Sequence, residues 1–402
     1  MARHAKRISL GNKLAEHLSV GVLAWQVPHA RVLAALERTD RHSERRRELP
    51  AEVVMYLVIA LALFHGAACR EVLRHLMEGL AFLWRGSTAL RVANKASIAG
   101  ARIRLGEAPV RELYRQSARP LAVRGQPGAF RWGKRLVSID GSTLPVGDTA
   151  ANAAAFGRPG ASRGESAFPQ LRFVGLVESG THAIIDAEMG AYARSEAALA
   201  LPILARLKPG MLCLADRLYA TYPLVSAAAA SGAAFVFRAR ANLTLPVLEE
   251  LSDGSYRSVM YGSVADRRQA RNGVNVRVVV YRLKGPQAPE ETYRLVTNLF
   301  GVTGTSAAHL AALYPQRWEH EGSYDELKTH LLGERFTLRS KIPDLVRQEF
   351  WAALLAHLVV HGLLVEASGP HEDPDERSFT HAVQVVRRKV ATPPPFSPSG
   401  ST

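Results

Sequence analysis

Cysteine is nearly missing from this chain: Cys69 and Cys213 are its only two. Both lie in apolar surroundings and read as buried thiols, which excludes a disulfide scaffold and a zinc finger. No HExxH occurs, and no Cys/His spacing suits zinc. The GxxxxGK[ST] arrangement is also missing, so the Gly-rich stretch at 157–164 is not a phosphate-binding P-loop. Long apolar runs are few. Val53–Phe64, VVMYLVIALALF, falls short of the ~20 residues needed to span a bilayer, and charge returns at once in CREVLRHLMEGL. It reads as a buried helix, and no membrane partner is expected. The basic start MARHAKRISLGNK meets no apolar core with a cleavage site, so no signal peptide is evident. Acid is the last scarcity. Asp plus Glu total 36 against 51 Lys plus Arg, a formal net charge of +15. Such a surplus favours a nucleic-acid or anionic-membrane partner. It is equally what a solvated face gives in an Ala/Arg/Gly-biased chain.

The 402 residues are 47% hydrophobic and 22% charged, a globular composition with room for two or three domains. Residues 1–100 read as all-helical, with segments over roughly 13–37, 50–65, 69–81 and 89–100. Basic clusters occur at Arg41, Arg45, Arg46 and Arg47, and again at Arg70 and Arg74. They suit a DNA-contacting surface or the polar rim of a bundle, and no motif decides between the two. Residues 101–130, rich in Gly, Pro and Arg, read as a linker.

From Arg135 the period changes from helix to strand. RLVSID reads as a short strand ending at Asp140, and 147–164 as a loop. LRFVGLVE (171–178) and HAIIDAEM (182–189) read as strands around a turn at Ser179-Gly180-Thr181. Then follow a helix at 195–207, the strand MLCLAD (211–216), a helix near 221–231 and the strand AAFVFRAR (233–240). This order is a mixed α/β core. Residues 244–297 break the alternation and read as a β-rich insertion. A helix near 307–314 continues into the next segment, and LVRQEFWAALLAHLVVHGLLVEA is a long helix. Ser378–Lys389 is a short helix or strand, and ATPPPFSPSGST is by composition a disordered tail.

The chemistry concentrates in YPQRWEHEGSYDELK. Tyr314, Arg317, Glu321 and Lys328 stand at i, i+3, i+7 and i+14, the spacing of one helix face. A face of Arg, Glu and Lys is expensive to bury. It makes sense if the Glu holds a metal and the cations hold a polyanion. Asp140 and Asp216 each close a short apolar run, and carboxylates at strand ends are where α/β sites form. Three carboxylates can hold two Mg²⁺ ions about 3.5–4 Å apart. The bland reading of each acid alone is a capping Asp or an exposed Glu. His357 and His361, four apart on an apolar helix, read as core or rim histidines rather than ligands.

These residues resemble the DDE transposases of bacterial insertion sequences, in the branch with a Tyr-Arg-Glu-Lys signature. Tyr314, Arg317, Glu321 and Lys328 match that spacing without a gap, and Tyr324 and Leu327 fill its aromatic and aliphatic positions. Asp140-Gly141-Ser142 resembles the first Asp block. Ala215-Asp216-Arg217 resembles the second, with Leu218 where Gly is usual. The resemblance extends over about residues 15–390. It implies a ribonuclease-H-like mixed-sheet core at 131–243 and 298–366, with the β-rich insertion at 244–297. It also implies a helical DNA-binding domain at 1–100, a linker at 101–130 and a carboxy-terminal segment at 367–402.

The implied activity is cut-and-paste transposition with Asp140, Asp216 and Glu321 as catalytic and metal-holding residues. The implied cofactor is two Mg²⁺ ions, with Mn²⁺ as a substitute. Tyr314, Arg317, Lys328 and Arg217 would position phosphates, and Trp318 would pack or stack on a displaced base. The implied partners are double-stranded DNA, as inverted-repeat ends and target, and a second copy in a homodimer. The implied location is the bacterial cytoplasm, on the nucleoid when DNA-bound. The rival readings are a nuclease of the same fold that cuts without joining and an inactive transposase-derived DNA-binding protein.

Overall fold

A computed structural model of the chain describes residues 21–43, 49–78, 92–161, 164–165, 168–283 and 291–389. Arg45, Arg46, Arg47 and the tail from 390 lie outside these residues, as do 13–20, 79–81 and 89–91 of the expected helices.

The first helices among the described residues are α1 (Gly21–Gln26) and α2 (His29–Arg38). The sequence reads one helix here, but Pro28 has no N–H to continue the ladder and becomes the N-cap of α2. The run around Val53 forms α3 (Ala51–Leu63), buried at every position from Val53 to Leu63. A helix apolar on all sides must be enclosed on all sides. α4 (Cys69–Glu78), α5 (Lys95–Leu105) and α6 (Ala108–Ser117) complete the bundle. The last two lie largely in the stretch read as a linker. Asn94 caps α5 through Ser97 N–H, and Pro109 sits in the first turn of α6, so local signals start both helices despite the Gly/Pro content.

The sheet begins with β1 (Lys134–Pro145), β2 (Gln170–Glu178), β3 (Ile184–Ala191), β4 (Met211–Ala215) and β5 (Ala234–Arg238). Their order in space is β3-β2-β1-β4-β5. β2 runs antiparallel to both β1 and β3, while β4 and β5 run parallel to β1 and to each other. This is the ribonuclease-H-like arrangement. Between β1 and β2 the expected loop holds α7 (Ala150–Phe156), capped by the Thr149 side chain. α8 (Glu196–Ala205) leads from β3 to β4, and α9 (Tyr222–Ala230) from β4 to β5. Both cover the sheet face that carries Val137, Ile139 and Cys213.

The β-rich segment does not form a separate layer. Its strands are β6 (Glu249–Glu250), β7 (Tyr256–Met260), β8 (Val274–Leu283) and β9 (Glu291–Thr297). β9 pairs antiparallel with β5, Val296 opposite Phe237, so these strands prolong the same sheet in the order β5-β9-β8-β7-β6. The short α10 (Val264–Arg268) joins β7 to β8.

α11 (Ala307–Leu313) follows, and the chain then winds on without a break. A 3₁₀ turn (Tyr314–Trp318) becomes α12 (Glu319–Asp325) and then a π-helical segment (Glu326–Leu331). The expected single α-helix is thus three helix types in sequence, a departure frequent at functional sites. α13 (Pro343–Ala367) is long and apolar enough to cross a membrane, but 78% of its most apolar window is buried in the fold. It packs on α3 and α6, and its residues share one core with the helical bundle and the β1–β2 sheet edge. The segment read as helix or strand near the end is α14 (Phe379–Lys389).

Candidate active site

The parallel ladder between β1 and β4 ends with Ile139 opposite Ala215, so Asp140 and Asp216 emerge side by side. Asp216 does leave its strand there. Asp140 does not end β1, contrary to the sequence reading. β1 keeps pairing with β2 as far as Pro145, with Asp140 opposite Gly175. The polar run Asp140-Gly141-Ser142-Thr143 looks like a strand terminus, but an antiparallel neighbour holds it extended.

Side chains alternate along β1. Ser138, Asp140 and Ser142 face the segment 314–331, and Gly141 faces α8. Burial and the neighbouring Asp216 push the Asp140 carboxyl up to about 6, despite a hydrogen bond from Gly141 N–H and the charge of Arg317. Asp216 accepts Leu218 N–H at 2.7 Å. A third acid, Glu196, lies on the other face. A Cβ on Gly141 would come within 2.6 Å of Glu196 Oε2, so this position needs glycine for the close approach. Burial, and less strongly Asp216, raise the Glu196 pKa above its usual value, against the opposing pull of Arg172. Sequence reasoning missed Glu196 because Ser195 caps α8, and a Glu in a helix's first turn already has a local explanation.

The segment 314–331 docks onto these strands through Tyr314, Arg317, Tyr324 and Lys328, and through His320, whose Nδ1 lies 3.1 Å from Ser138 Oγ. Tyr314 is buried, and its hydroxyl donates to Ala215 O at 3.4 Å, next to Asp216. Arg317 Nη1 donates to Asp140 Oδ2 at 3.3 Å. Tyr324 Oη donates to Asp140 O at 2.8 Å and accepts Gly175 N–H at 2.9 Å. Lys328 Nζ donates to Ser142 Oγ. Burial lowers the pKa of the Lys328 ammonium, and it pushes the Tyr314 phenol up to about 12. His320 packs edge-on to Tyr324 with ring centroids 4.3 Å apart, and burial lowers its pKa to about 3, keeping it neutral.

Residues 317, 321, 324 and 328 form one helical stripe, and three of them touch β1 between Asp140 and Ser142. Glu321 is the fourth. It is exposed and makes no side-chain hydrogen bond or ion pair among the described residues. Trp318 is 57% exposed. Its ring lies 4.8 Å from the Arg317 guanidinium carbon. Arg217 is exposed beside Asp216, its carbonyl accepting from Arg240 Nε at 3.3 Å. The role of Tyr324 was missed, although its spacing from Arg317 was legible.

Two adjacent carboxylates, one already holding protons more tightly than usual, are hard oxygen donors whose repulsion a divalent cation relieves. The donor set fits such an ion.

The family model described as Transposase DDE domain matches residues 131–359. The model described as Insertion element 4 transposase N-terminal matches residues 17–115. The chain is 28% identical over 355 residues to Transposase InsG for insertion sequence element IS4 of Escherichia coli (strain K12), covering 87% of this chain and 78% of that protein. It is 26% identical over 208 residues to Putative transposase InsZ of the same strain, covering 50% of this chain and 64% of that one. A solved structure, the piggyBac transposase synaptic complex with hairpin DNA, aligns over 97% of this chain and 82% of that chain, with 11% identity and a TM-score of 0.45. DDE domains depend on a divalent metal. The chain belongs to the DDE-domain transposases, and it is a DNA transposase, an enzyme of the polynucleotidyl transferase type.

Proposed function

We propose that the protein moves an insertion sequence by cut-and-paste, with Asp140, Asp216 and Glu321 as catalytic carboxylates and ligands of two Mg²⁺ ions, Mn²⁺ serving as a substitute. The observation that carries this reading is the docking of one helical stripe onto β1 at Asp140, with the exposed Glu321 in the middle of it unpaired among the described residues. When bound, the ions supply an activated water and stabilise both the attacking and leaving oxygens of an in-line displacement.

The chain's own residues set the frame. Asp140 and Asp216 offer oxygens from neighbouring strands, and Glu321 offers them from the helix. Arg317 orients the Asp140 carboxylate and Tyr324 fixes its backbone, so the ligand frame is rigid before DNA arrives. Lys328 and Arg217 take phosphates beside the scissile bond as point charge and fork, and Tyr314 buttresses the Asp216 strand. Trp318 is exposed beside them and can stack on an extruded base. Cleavage at the element's end frees a 3′-hydroxyl. That hydroxyl attacks the opposite strand to close a hairpin and, after reopening, attacks target DNA.

We assign end recognition to the helical region 1–100 and chemistry to 131–243 with 298–366. Residues 101–130 lead from one to the other, 244–297 extend the sheet, and 367–402 follow the core. The bound substrates are double-stranded inverted-repeat ends and target DNA, held by a homodimer in the cytoplasm and on the nucleoid. The test uses end-labelled element DNA with an unlabelled target in Mg²⁺. Joined product supports transposition, while cleavage without joining reduces the protein to a nuclease.

A further inference from the structure

We propose that Glu326, His357 and His361 form a separate zinc site, which fastens the π-helical segment bearing Lys328 to α13. Their ligand atoms converge. His361 Nε2 lies 3.1 Å from His357 Nε2 and 3.3 Å from Glu326 Oε2. With Zn–N and Zn–O bonds of about 2.0–2.1 Å, the edges of a tetrahedron are about 3.3–3.4 Å. Two imidazole nitrogens and a carboxylate oxygen are also a donor set that zinc favours.

Hydrogen bonding does not account for the cluster. A carboxylate only accepts, and each Nε2 carries one hydrogen or none. If His361 Nε2 gives its hydrogen to Glu326, it has none of its own for His357 and no lone pair to receive one. If His357 donates to His361, then His361 turns a lone pair toward the carboxylate. Every tautomer leaves one of the two contacts without its own hydrogen, and a cation satisfies both. The other ring nitrogen of His357, Nδ1, is buried and makes no hydrogen bond of ordinary geometry among the described residues.

Charge points the same way. Glu326 Oε2 also meets His182 Nδ1 at 3.2 Å, and His182 meets Glu319 at 3.0 Å and Asp375 at 3.3 Å. Glu326 is thus one of three carboxylates gathered around His182, and a divalent cation beside it relieves that crowding. His357 and His361 are fully enclosed, with the Phe379 ring 5.5 and 5.0 Å from theirs. The sequence hid the site because Glu326 stands 35 residues before His361 and on a different helix.

The test uses untagged full-length protein purified without chelator and dialysed exhaustively. Elemental analysis should find about one zinc per chain. EDTA-stripped protein should regain it, its thermal midpoint rising by about 5 °C or more with Zn²⁺ and not with Mg²⁺. Co²⁺ added instead should give the visible bands of a four-coordinate ion. The doubly substituted protein Asp140→Asn/Asp216→Asn should keep the zinc, while Glu326→Gln and His361→Asn should lose it. Stripped wild-type protein that neither takes up zinc nor gains thermal stability from it overturns the site. So does loss of the zinc in the double Asp variant, which would place the ion among the catalytic acids. Neither result needs the Glu326 or His361 variants to fold.

Discussion

Arg317 reaches across from the helix after β9 and places its Nη1 3.3 Å from Asp140 Oδ2. The sequence suggests that this arginine waits for a phosphate. In the fold it is 9% exposed, paired with a carboxylate and flanked by the Trp318 ring. Its charge partly offsets the burial and the repulsion from Asp216 that together push the Asp140 carboxyl up to about 6. The site therefore holds its acids together at a cost in stability. Such a cost is expected where a cation must bind.

Asp140→Asn should make the metal-free protein more stable. The folded pKa of Asp140 lies above its ordinary 3.8, so the charged form is disfavoured in the fold. The penalty is absent below pH 3.8 and complete above about pH 6. At pH 7 in EDTA, removing the charge should stabilise the fold by about 1–3 kcal/mol. Urea unfolding at pH 7 measures this. An equal or lower midpoint for the variant would show that the acid pair is not strained.

Glu196→Gln should raise the Mg²⁺ concentration needed for half-maximal cleavage by about tenfold or more, with the saturated rate little changed. The acid packs against Gly141 and interacts with both Asp140 and Asp216. Gly141→Ala should act in the same direction by pushing Glu196 away. A metal titration of the single-turnover rate decides. An unchanged requirement in Glu196→Gln would leave Glu196 as a cap-side acid with no part in the site.

Tyr324→Phe removes one hydroxyl that both donates to Asp140 O and accepts from Gly175 N–H. Leaving two buried backbone groups unpaired should cost about 1–3 kcal/mol. Cleavage should slow because the Asp140 backbone is less firmly held, while Mg²⁺ affinity changes less than in Glu196→Gln. Thermal unfolding beside single-turnover cleavage separates the two effects. Full stability with full activity would remove Tyr324 from the frame.

Sequence alone carried the local part of this account. Apolar runs that stop at Asp140 and Asp216 marked strand-borne acids, and the spacing of Arg317, Glu321 and Lys328 marked a helical stripe. It did not show that β1 continues past Asp140, because only pairing with β2 keeps a polar Gly-Ser-Thr run extended. Nor did it show three helix types between Tyr314 and Leu331, since residue spacing barely distinguishes them. The Glu326, His357 and His361 cluster was hidden for another reason. Its acid and its histidines are far apart in sequence, and only the topology brings them together. The split of the first helix at Pro28 was a local signal that the apolar pattern outweighed.

The most direct test falls on Glu321, the one acid of the three with no side-chain hydrogen bond or ion pair among the described residues. Glu321→Gln keeps the size of the side chain and removes its charge. The measurement is single-turnover cleavage of pre-bound element-end DNA in Mg²⁺, beside a gel shift of the same DNA in Ca²⁺. The result expected is unchanged binding with cleavage reduced about a thousandfold or more, the scale on which losing a charge-stabilising group acts. Cleavage by Glu321→Gln within a few-fold of wild type would contradict the three-carboxylate site.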